Sequence, residues 1–145
     1  MRCGPNRVSS ALRRLAWTLA LCGAAAGPAF ACEPPDMADG SGVIGRVATS
    51  DHALALRSVP SPLPLNRPFA LEIALCAQNG TAMASLPKVD AWMPAHRHGM
   101  NYRPTVTSLG PGRFRAEGML FHMPGRWEVI VEIGKDRIPV PVDLR

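Results

Sequence analysis

Proline and glycine interrupt this chain at short and nearly regular intervals, and the spacing of these residues restricts its fold more than any other feature. From residue 43 onward, a Pro or Gly breaks the sequence about every eight to twelve residues, a spacing typical of short β-strands joined by turns. No segment in this part keeps a hydrophobic period of 3.6, so amphipathic helices are not expected. The strand candidates cover roughly residues 43–49, 52–58, 68–76, 87–93, 104–109, 113–122, 126–133 and 137–143.

Apolar and polar residues alternate within these candidates. The stretch "FALEIALC" at 69–76 places its large apolar side chains at odd positions, and "RWEVIVEI" at 126–133 does the same from Trp127 onward. A period of two buries one face of a strand and leaves the other in water. The pattern predicts an all-β fold, an immunoglobulin-like antiparallel β-sandwich of seven to eight short strands. The segment "VPSPLPLNRP", 59–68, is predicted to be a stiff connection between sheets.

The first 31 residues are predicted to be a secretory signal peptide and not part of the fold. Four arginines precede or adjoin an apolar run, "LAWTLALCGAAAG", and Ala29 and Ala31 fit an A-x-A cleavage site. The run is short and rich in small residues, which disfavours an uncleaved membrane anchor; a twin-arginine signal fits poorly. We therefore expect a periplasmic protein with a signal peptide at 1–31, a flexible N-terminal arm at 32–42 and a β-sandwich domain at 43–145.

Removal of this leader changes the charge balance. The chain has 16 Lys and Arg against 11 Asp and Glu, a formal net charge of +5. Four of the arginines and none of the acids precede Ala31, so the mature part carries about +1. This part has no basic patch interleaved with aromatic residues, and nucleic acid is not expected as a partner.

The cysteines that remain after cleavage form an even pair. Cys3 and Cys22 lie in the leader, which leaves Cys32 and Cys76. In an oxidising compartment such a pair usually forms a disulfide. Lipidation of Cys32 is one alternative, although the residues before it make a poor lipobox, and a thiol metal ligand is another. The sequence favours the disulfide and leaves both alternatives open.

The stretch "DAWMPAHRHGMNYRP", 90–104, concentrates residue types that bind metals. His96, His98 and Met100 stand at alternate positions, and side chains at i and i+2 of a strand share a face. A fully extended span from His96 to Met100 would measure roughly 13 Å, too long for one ion unless the chain bends, for example at Gly99. A polar surface loop remains the alternative, because Arg97 between the histidines would oppose a bound cation.

A turn at "LGPGR", 109–113, is predicted to bring a second motif, "FHMPGRW", to the first. If Leu109 pairs with Arg113, the same register carried outward places Met100 opposite His122. Directly opposite side chains lie about 4.5–5.5 Å apart at Cβ, close enough to share an ion. Met123 falls on the other face in this register, and a bend at Gly99 would allow it to contribute as a ligand.

These residue types favour copper. Imidazole nitrogen binds both Cu(II) and Cu(I), whereas thioether sulfur prefers soft Cu(I). Zinc seldom takes methionine, and its structural sites need more Cys or His than occur here. Iron stays open as a second choice.

Other residues of these types have more ordinary interpretations. Met93 and Met119 are predicted to fill the core, and Trp92 and Trp127 are predicted to anchor it. His52 stands alone on a strand and is predicted to lie at the surface.

Two longer segments, "MPAHRHGMNYRPTV" and "LGPGRFRAEGMLFHMPGRWEV", resemble the YtkA-like domain family, which is related to the periplasmic domain of FixH-type proteins. The resemblance covers roughly residues 86–133. It implies a small secreted β-sandwich associated with copper handling or terminal-oxidase maturation. Unlike FixH-type proteins, this sequence shows no convincing membrane helix. The implied ligands are His96, His98, Met100, His122 and Met123.

The expected function is non-catalytic copper binding for delivery or detoxification. A periplasmic or membrane copper-handling protein is the expected partner, without stable membrane insertion of the chain itself. The alternative is a metal-independent protein-interaction module in envelope or terminal-oxidase assembly. An enzyme is the weakest interpretation, since the sequence offers no nucleophile–base pair, no paired carboxylates in one motif and no phosphate-cradling loop.

Overall fold

The computed structural model describes residue 37 and residues 40–145. Within this part of the chain nine antiparallel strands form two sheets, and the predicted all-β sandwich is confirmed. The predicted signal peptide, Cys32 and most of the 32–42 arm lie outside the described residues. The strands are β1 (Val43–Ala48), β2 (His52–Val59), β3 (Phe69–Ala77), β4 (Lys88–Met93), β5 (His98–Gly99), β6 (Thr105–Gly110), β7 (Arg113–Met119), β8 (Gly125–Ile133) and β9 (Asp136–Leu144).

The two sheets divide the strands five to four. One sheet has the order β1-β2-β3-β7-β6, and the other has the order β5-β4-β8-β9. The chain therefore changes sheet between β3 and β4, between β5 and β6, and again between β7 and β8. The segment between β7 and β8, residues 120–124, carries the second histidine motif across one end of the sandwich.

The core lies between the sheets and follows the predicted period of two. In β8 the side chains of Trp127, Val129 and Val131 are fully buried, whereas Glu128 and Glu132 face outward. Met93 and Met119 are buried as predicted. Burial of this apolar surface, at about 25 cal/mol per Å², is the main force that holds the sheets together.

Trp92 is not a core anchor, and this prediction is wrong. In β4 the side chains of Val89, Ala91 and Met93 point into the core, so that of Trp92 points outward and is 37% exposed. Trp92 faces outward because adjacent residues of a strand point to opposite faces of the sheet.

The side chains on the outer face of β3 are more buried than predicted. Ala70, Ala74 and Cys76 were expected to face water, but all three are buried. β3 lies in the middle of its sheet, and Met37 packs on the outer face against Ala55 and Ala74. Small side chains on a central strand are easily covered by their neighbours, so alternation alone overestimated exposure.

The polar residue of β3 is held by ion pairs with both neighbouring strands. Glu72 accepts hydrogen bonds from Arg57 of β2 and from Arg115 of β7, the latter at 3.2 Å. These contacts tie three strands together on the outer face of the five-stranded sheet.

His52 is buried and not at the surface as predicted. Only 9% of it is exposed, and its Nδ1 lies 3.7 Å from Oδ2 of Asp136. The first residue of β2 lies beside the first residue of β9, so the two sheets cover it at that end.

Gly45 of β1 touches the other sheet so closely that no side chain fits. A Cβ at this position would lie 2.5 Å from Cγ1 of Val140 in β9. We expect Gly45→Ala to lower the free energy of unfolding by about 1–3 kcal/mol, because the added methyl overpacks this contact. Urea unfolding measures the change. Thr107→Ala, at an exposed position of β6, is the control and should change stability by less than about 0.5 kcal/mol. If the Gly45 variant is as stable as the parent protein, the two sheets can move apart at this contact without loss of stability.

Candidate metal centre

The hairpin that was predicted to join the two motifs exists but ends too early. In β6 and β7, Val106 pairs with Ala116 and Thr105 with Glu117, as the predicted register requires. A bulge at Leu109 makes Gly110 the partner of Arg113. Pairing stops at Thr105, preceded by Pro104, which has no N–H to donate to a ladder. The predicted pair of Met100 and His122 is therefore wrong.

The first motif instead forms a hairpin of its own in the other sheet. Met93 at the end of β4 pairs with His98 of β5, and Trp92 pairs with Gly99. Residues 94–97 make the turn, and the backbone N–H groups of His96 and Arg97 both donate to the Met93 carbonyl, at 3.2 and 2.9 Å. Arg97 adopts a left-handed conformation, with φ of 55°. The bend that was predicted at Gly99 lies at Arg97.

Gly99 has a different role in this hairpin. A Cβ at this position would come within 3.0 Å of the Ala91 carbonyl oxygen. That carbonyl accepts the backbone N–H of Met100 at 3.2 Å. The absence of a side chain at 99 thus lets the short strand β5 lie close to β4, which places His98 at the edge of the four-stranded sheet.

The two motifs converge in spite of the wrong register. The ring centroids of His98 and His122 are 4.9 Å apart, with planes tilted by 33°. His96 adjoins His98, at 5.9 Å between centroids. His98 belongs to β5, and His122 belongs to the segment that crosses from β7 to β8. Three imidazoles therefore lie in a row at one end of the sandwich, with His98 in the middle.

These spacings are compatible with an ion held between neighbouring rings. A metal about 2.0–2.1 Å from each imidazole nitrogen requires ring centroids roughly 4.5–6.5 Å apart for coordination angles from 90° upward. The His98–His122 and His96–His98 separations both fall in this interval. Among the described residues, however, no group of three or more His, Cys, Asp or Glu side chains converges on one position. A single ion here would need the thioethers to complete its coordination.

A backbone contact determines which nitrogen of His98 can bind. Its Nδ1 lies 3.2 Å from the Gly99 carbonyl oxygen. A carbonyl oxygen only accepts, so this contact is a hydrogen bond in the tautomer that carries its proton on Nδ1. In that tautomer Nε2 keeps its lone pair for a metal, an arrangement common in metal-binding histidines.

The two candidate methionines differ from those of the core. Met100 and Met123 are half buried and pack against the core from its edge. Met93 and Met119 are fully enclosed. Met100 lies two residues beyond His98, and Met123 directly follows His122. The structure thus leaves Met100 and Met123 at the end where the imidazoles meet.

Trp127 lines this end of the molecule, a position that was not predicted from the sequence. Its indole makes T-shaped contacts with His98, at 5.7 Å, and with His122, at 5.5 Å between centroids. The indole stacks on Phe121 at 4.6 Å, and its Nε1–H donates to the Met123 carbonyl at 3.1 Å. The sequence signal was its position five residues after His122, in the strand that the crossing segment enters.

Fold and site together define a small β-sandwich with a cluster of imidazoles at one end, next to Met100 and Met123 along the chain. The profile of the YtkA-like family matches residues 70–132, which contain both motifs, and the resemblance predicted from those motifs is confirmed over this segment. No curated protein matches the chain, and no solved structure matches it. In the part of the chain that the structure describes, no helix is both long and apolar enough to cross a membrane.

Proposed function

We propose that the protein is a non-catalytic periplasmic copper-binding protein for copper delivery or detoxification. His98 and His122 are the central ligands, and His96, Met100 and Met123 are the outer ones. The observation that carries the proposal is the 4.9 Å approach of the His98 ring, in β5, to the His122 ring, in the segment that crosses from β7 to β8. Because the two histidines belong to separate parts of the chain, the folded sandwich is needed to hold their rings this close.

The donor set favours copper over zinc. Two neutral imidazoles with neutral thioethers provide soft ligands and no negative charge, which suits Cu(I) and is tolerated by Cu(II). Structural zinc sites usually contain four Cys or His ligands, and no such group occurs among the described residues.

Exposure of the ligands supports transfer of the ion. His96 and His122 are exposed, and His98 is half buried. A partner's ligand can therefore approach the ion from the solvent side, and exchange can proceed ligand by ligand. A periplasmic or membrane copper-handling protein is the partner that we propose.

The double variant His98→Ala/His122→Ala tests the ligand assignment. We expect its copper affinity to fall by about 100-fold or more, roughly 2.7 kcal/mol or more, because both central nitrogens are lost. Competition with a chromogenic chelator measures the affinity. His52→Gln, which removes an imidazole far from the cluster in sequence, should retain tight binding. Unchanged affinity of the double variant would place the site elsewhere.

Export and processing can be tested independently. If residues 1–31 are a cleaved signal peptide, protein recovered from the periplasmic fraction should begin at Cys32. Intact mass and N-terminal sequencing measure this, and they also distinguish a free from a lipidated Cys32. Retention of the leader in the mature protein would contradict both the cleavage site and the assignment of 1–31.

One surface favours the second candidate, a metal-independent protein-interaction module in envelope or terminal-oxidase assembly. The outer face of the four-stranded sheet has a groove of about 520 Å³ lined by Trp92, Ile130 and Pro139 among others. An exposed tryptophan in a groove is a common anchor for a protein partner. This candidate requires partner binding that is insensitive to copper and is lost in Trp92→Ala, whereas the copper proposal does not depend on Trp92.

A further inference from the structure

We infer that Trp127 is the non-coordinating wall of the copper site and that it makes the site prefer Cu(I) over Cu(II). The inference rests on the proposed function, and it names the oxidation state that the site selects. Trp127 is a positioning residue in this scheme, since it acts on the ion through the two imidazoles and through the space that it closes.

Trp127 contacts both central ligands and does not contact water. The indole is 0% exposed, and its centroid lies within 5.7 Å of the His98 and His122 centroids. Both contacts are T-shaped, with interplanar angles of 67° and 80°. The indole therefore covers one side of the imidazole pair.

The indole packs against a second buried ring, and its only polar group already has a hydrogen-bond partner. Phe121 stacks on the indole with an interplanar angle of 9° and is itself fully buried. The single polar atom, Nε1, is already engaged by the Met123 carbonyl at 3.1 Å. The same hydrogen bond holds the backbone of Met123 beside His122, so one residue both closes the space and positions a candidate thioether.

A closed apolar side affects the two oxidation states of copper differently. Cu(II) favours square-planar or tetragonal coordination by nitrogen and oxygen, which on this side would need water or another donor. Cu(I) is satisfied by fewer, softer ligands, and two imidazoles with thioether sulfur provide them. The hydrophobic shell of a metal site also controls access of solvent and thereby its redox properties. Trp127 thus disfavours Cu(II) more than Cu(I).

A single-tryptophan protein tests the contact without altering the wall. The full chain has three tryptophans, and Trp17 lies in the predicted signal peptide, so Trp92→Phe leaves Trp127 as the only tryptophan of the mature protein. We expect its fluorescence to change in proportion to bound copper and to saturate at one equivalent. Emission that does not respond while the chelator assay shows binding would overturn the inference, because the ion would then lie away from the indole.

The oxidation-state preference is tested with Trp127→Phe. The smaller ring opens space on the closed side and removes the Nε1 hydrogen bond. We expect the ratio of the Cu(II) and Cu(I) dissociation constants to fall by about tenfold to 100-fold, the range found when groups around metal ligands are altered. The ratio is measured by parallel titrations against Cu(I)-specific and Cu(II)-specific chelators.

Matched variants separate this role from a general loosening of the core. Phe114→Leu truncates another fully buried ring, and Trp92→Phe alters an exposed indole; both should retain the parent ratio. If folded Trp127→Phe retains it too, the inference is wrong although copper binding stands. If Trp127→Phe does not fold, the single-tryptophan titration decides. If the parent protein binds no copper in either state, the proposed function itself fails.

Discussion

Replacing Trp127 by alanine is expected to lower the free energy of unfolding by about 3–5 kcal/mol. The side chain is completely buried between the sheets, where it stacks on Phe121. Truncation would remove this contact and leave a cavity that the rigid β-sandwich can close only in part. Guanidinium unfolding followed by circular dichroism measures the loss.

Trp92→Ala is the matched control, because it removes the same side chain from the other face of the same sheet. Trp92 is 37% exposed and lines only the outer groove. We expect a loss of about 1 kcal/mol or less. Losses of similar size in the two variants would contradict the assignment of Trp127 to the core and of Trp92 to the surface.

The two tryptophans show where sequence patterning succeeds and where it needs one more step. Trp127 begins the alternation of β8 and was correctly predicted to be buried. Residue type alone predicts a buried Trp92, although Val89, Ala91 and Met93 define the inward-facing positions of β4. Applying the period of two to that segment would have placed Trp92 outside.

Strand positions followed from Pro, Gly and alternation, and all eight candidates correspond to observed strands. The ninth strand, β5, has only two residues, too few for any period to be visible. Its formation depends on the turn at 94–97 and on the left-handed Arg97, a conformation that residue type does not favour. The outer burial of β3 was missed because it depends on neighbours and on Met37, not on the strand itself.

The two histidine motifs converge as predicted, but they are not brought together by the predicted hairpin register. The predicted hairpin register continues past Thr105 and Glu117, whereas the ladder between β6 and β7 ends at this pair. The chain brings His98 and His122 together by changing sheets twice. Sheet changes depend on three-dimensional packing, and one sequence does not encode them in a local pattern.

Loss of the predicted disulfide between Cys32 and Cys76 is the second change expected to lower the free energy of unfolding strongly. Cys76 is 2% exposed on the outer face of β3, the face on which Met37 packs. Cys32 lies outside the described residues, so the pairing stays a prediction. In the chain-entropy treatment, closing a loop of this length lowers the entropy of the unfolded chain and thereby stabilises the folded state by about 4 kcal/mol. We therefore expect Cys76→Ala to lower the free energy of unfolding by about 2–4 kcal/mol, measured in urea without reductant.

A double-mutant cycle distinguishes the disulfide from simple packing of the Cys76 side chain. If the two sulfurs are bonded, Cys32→Ala should destabilise the protein nearly as much as Cys76→Ala, and the double variant should lose little more than either. Reductant should then destabilise the parent and leave the variants unchanged. A Cys32→Ala variant as stable as the parent, with an additive double variant, would contradict the pairing, because the loss at Cys76 would then come from packing alone. In that case the arm would have no covalent attachment to β3.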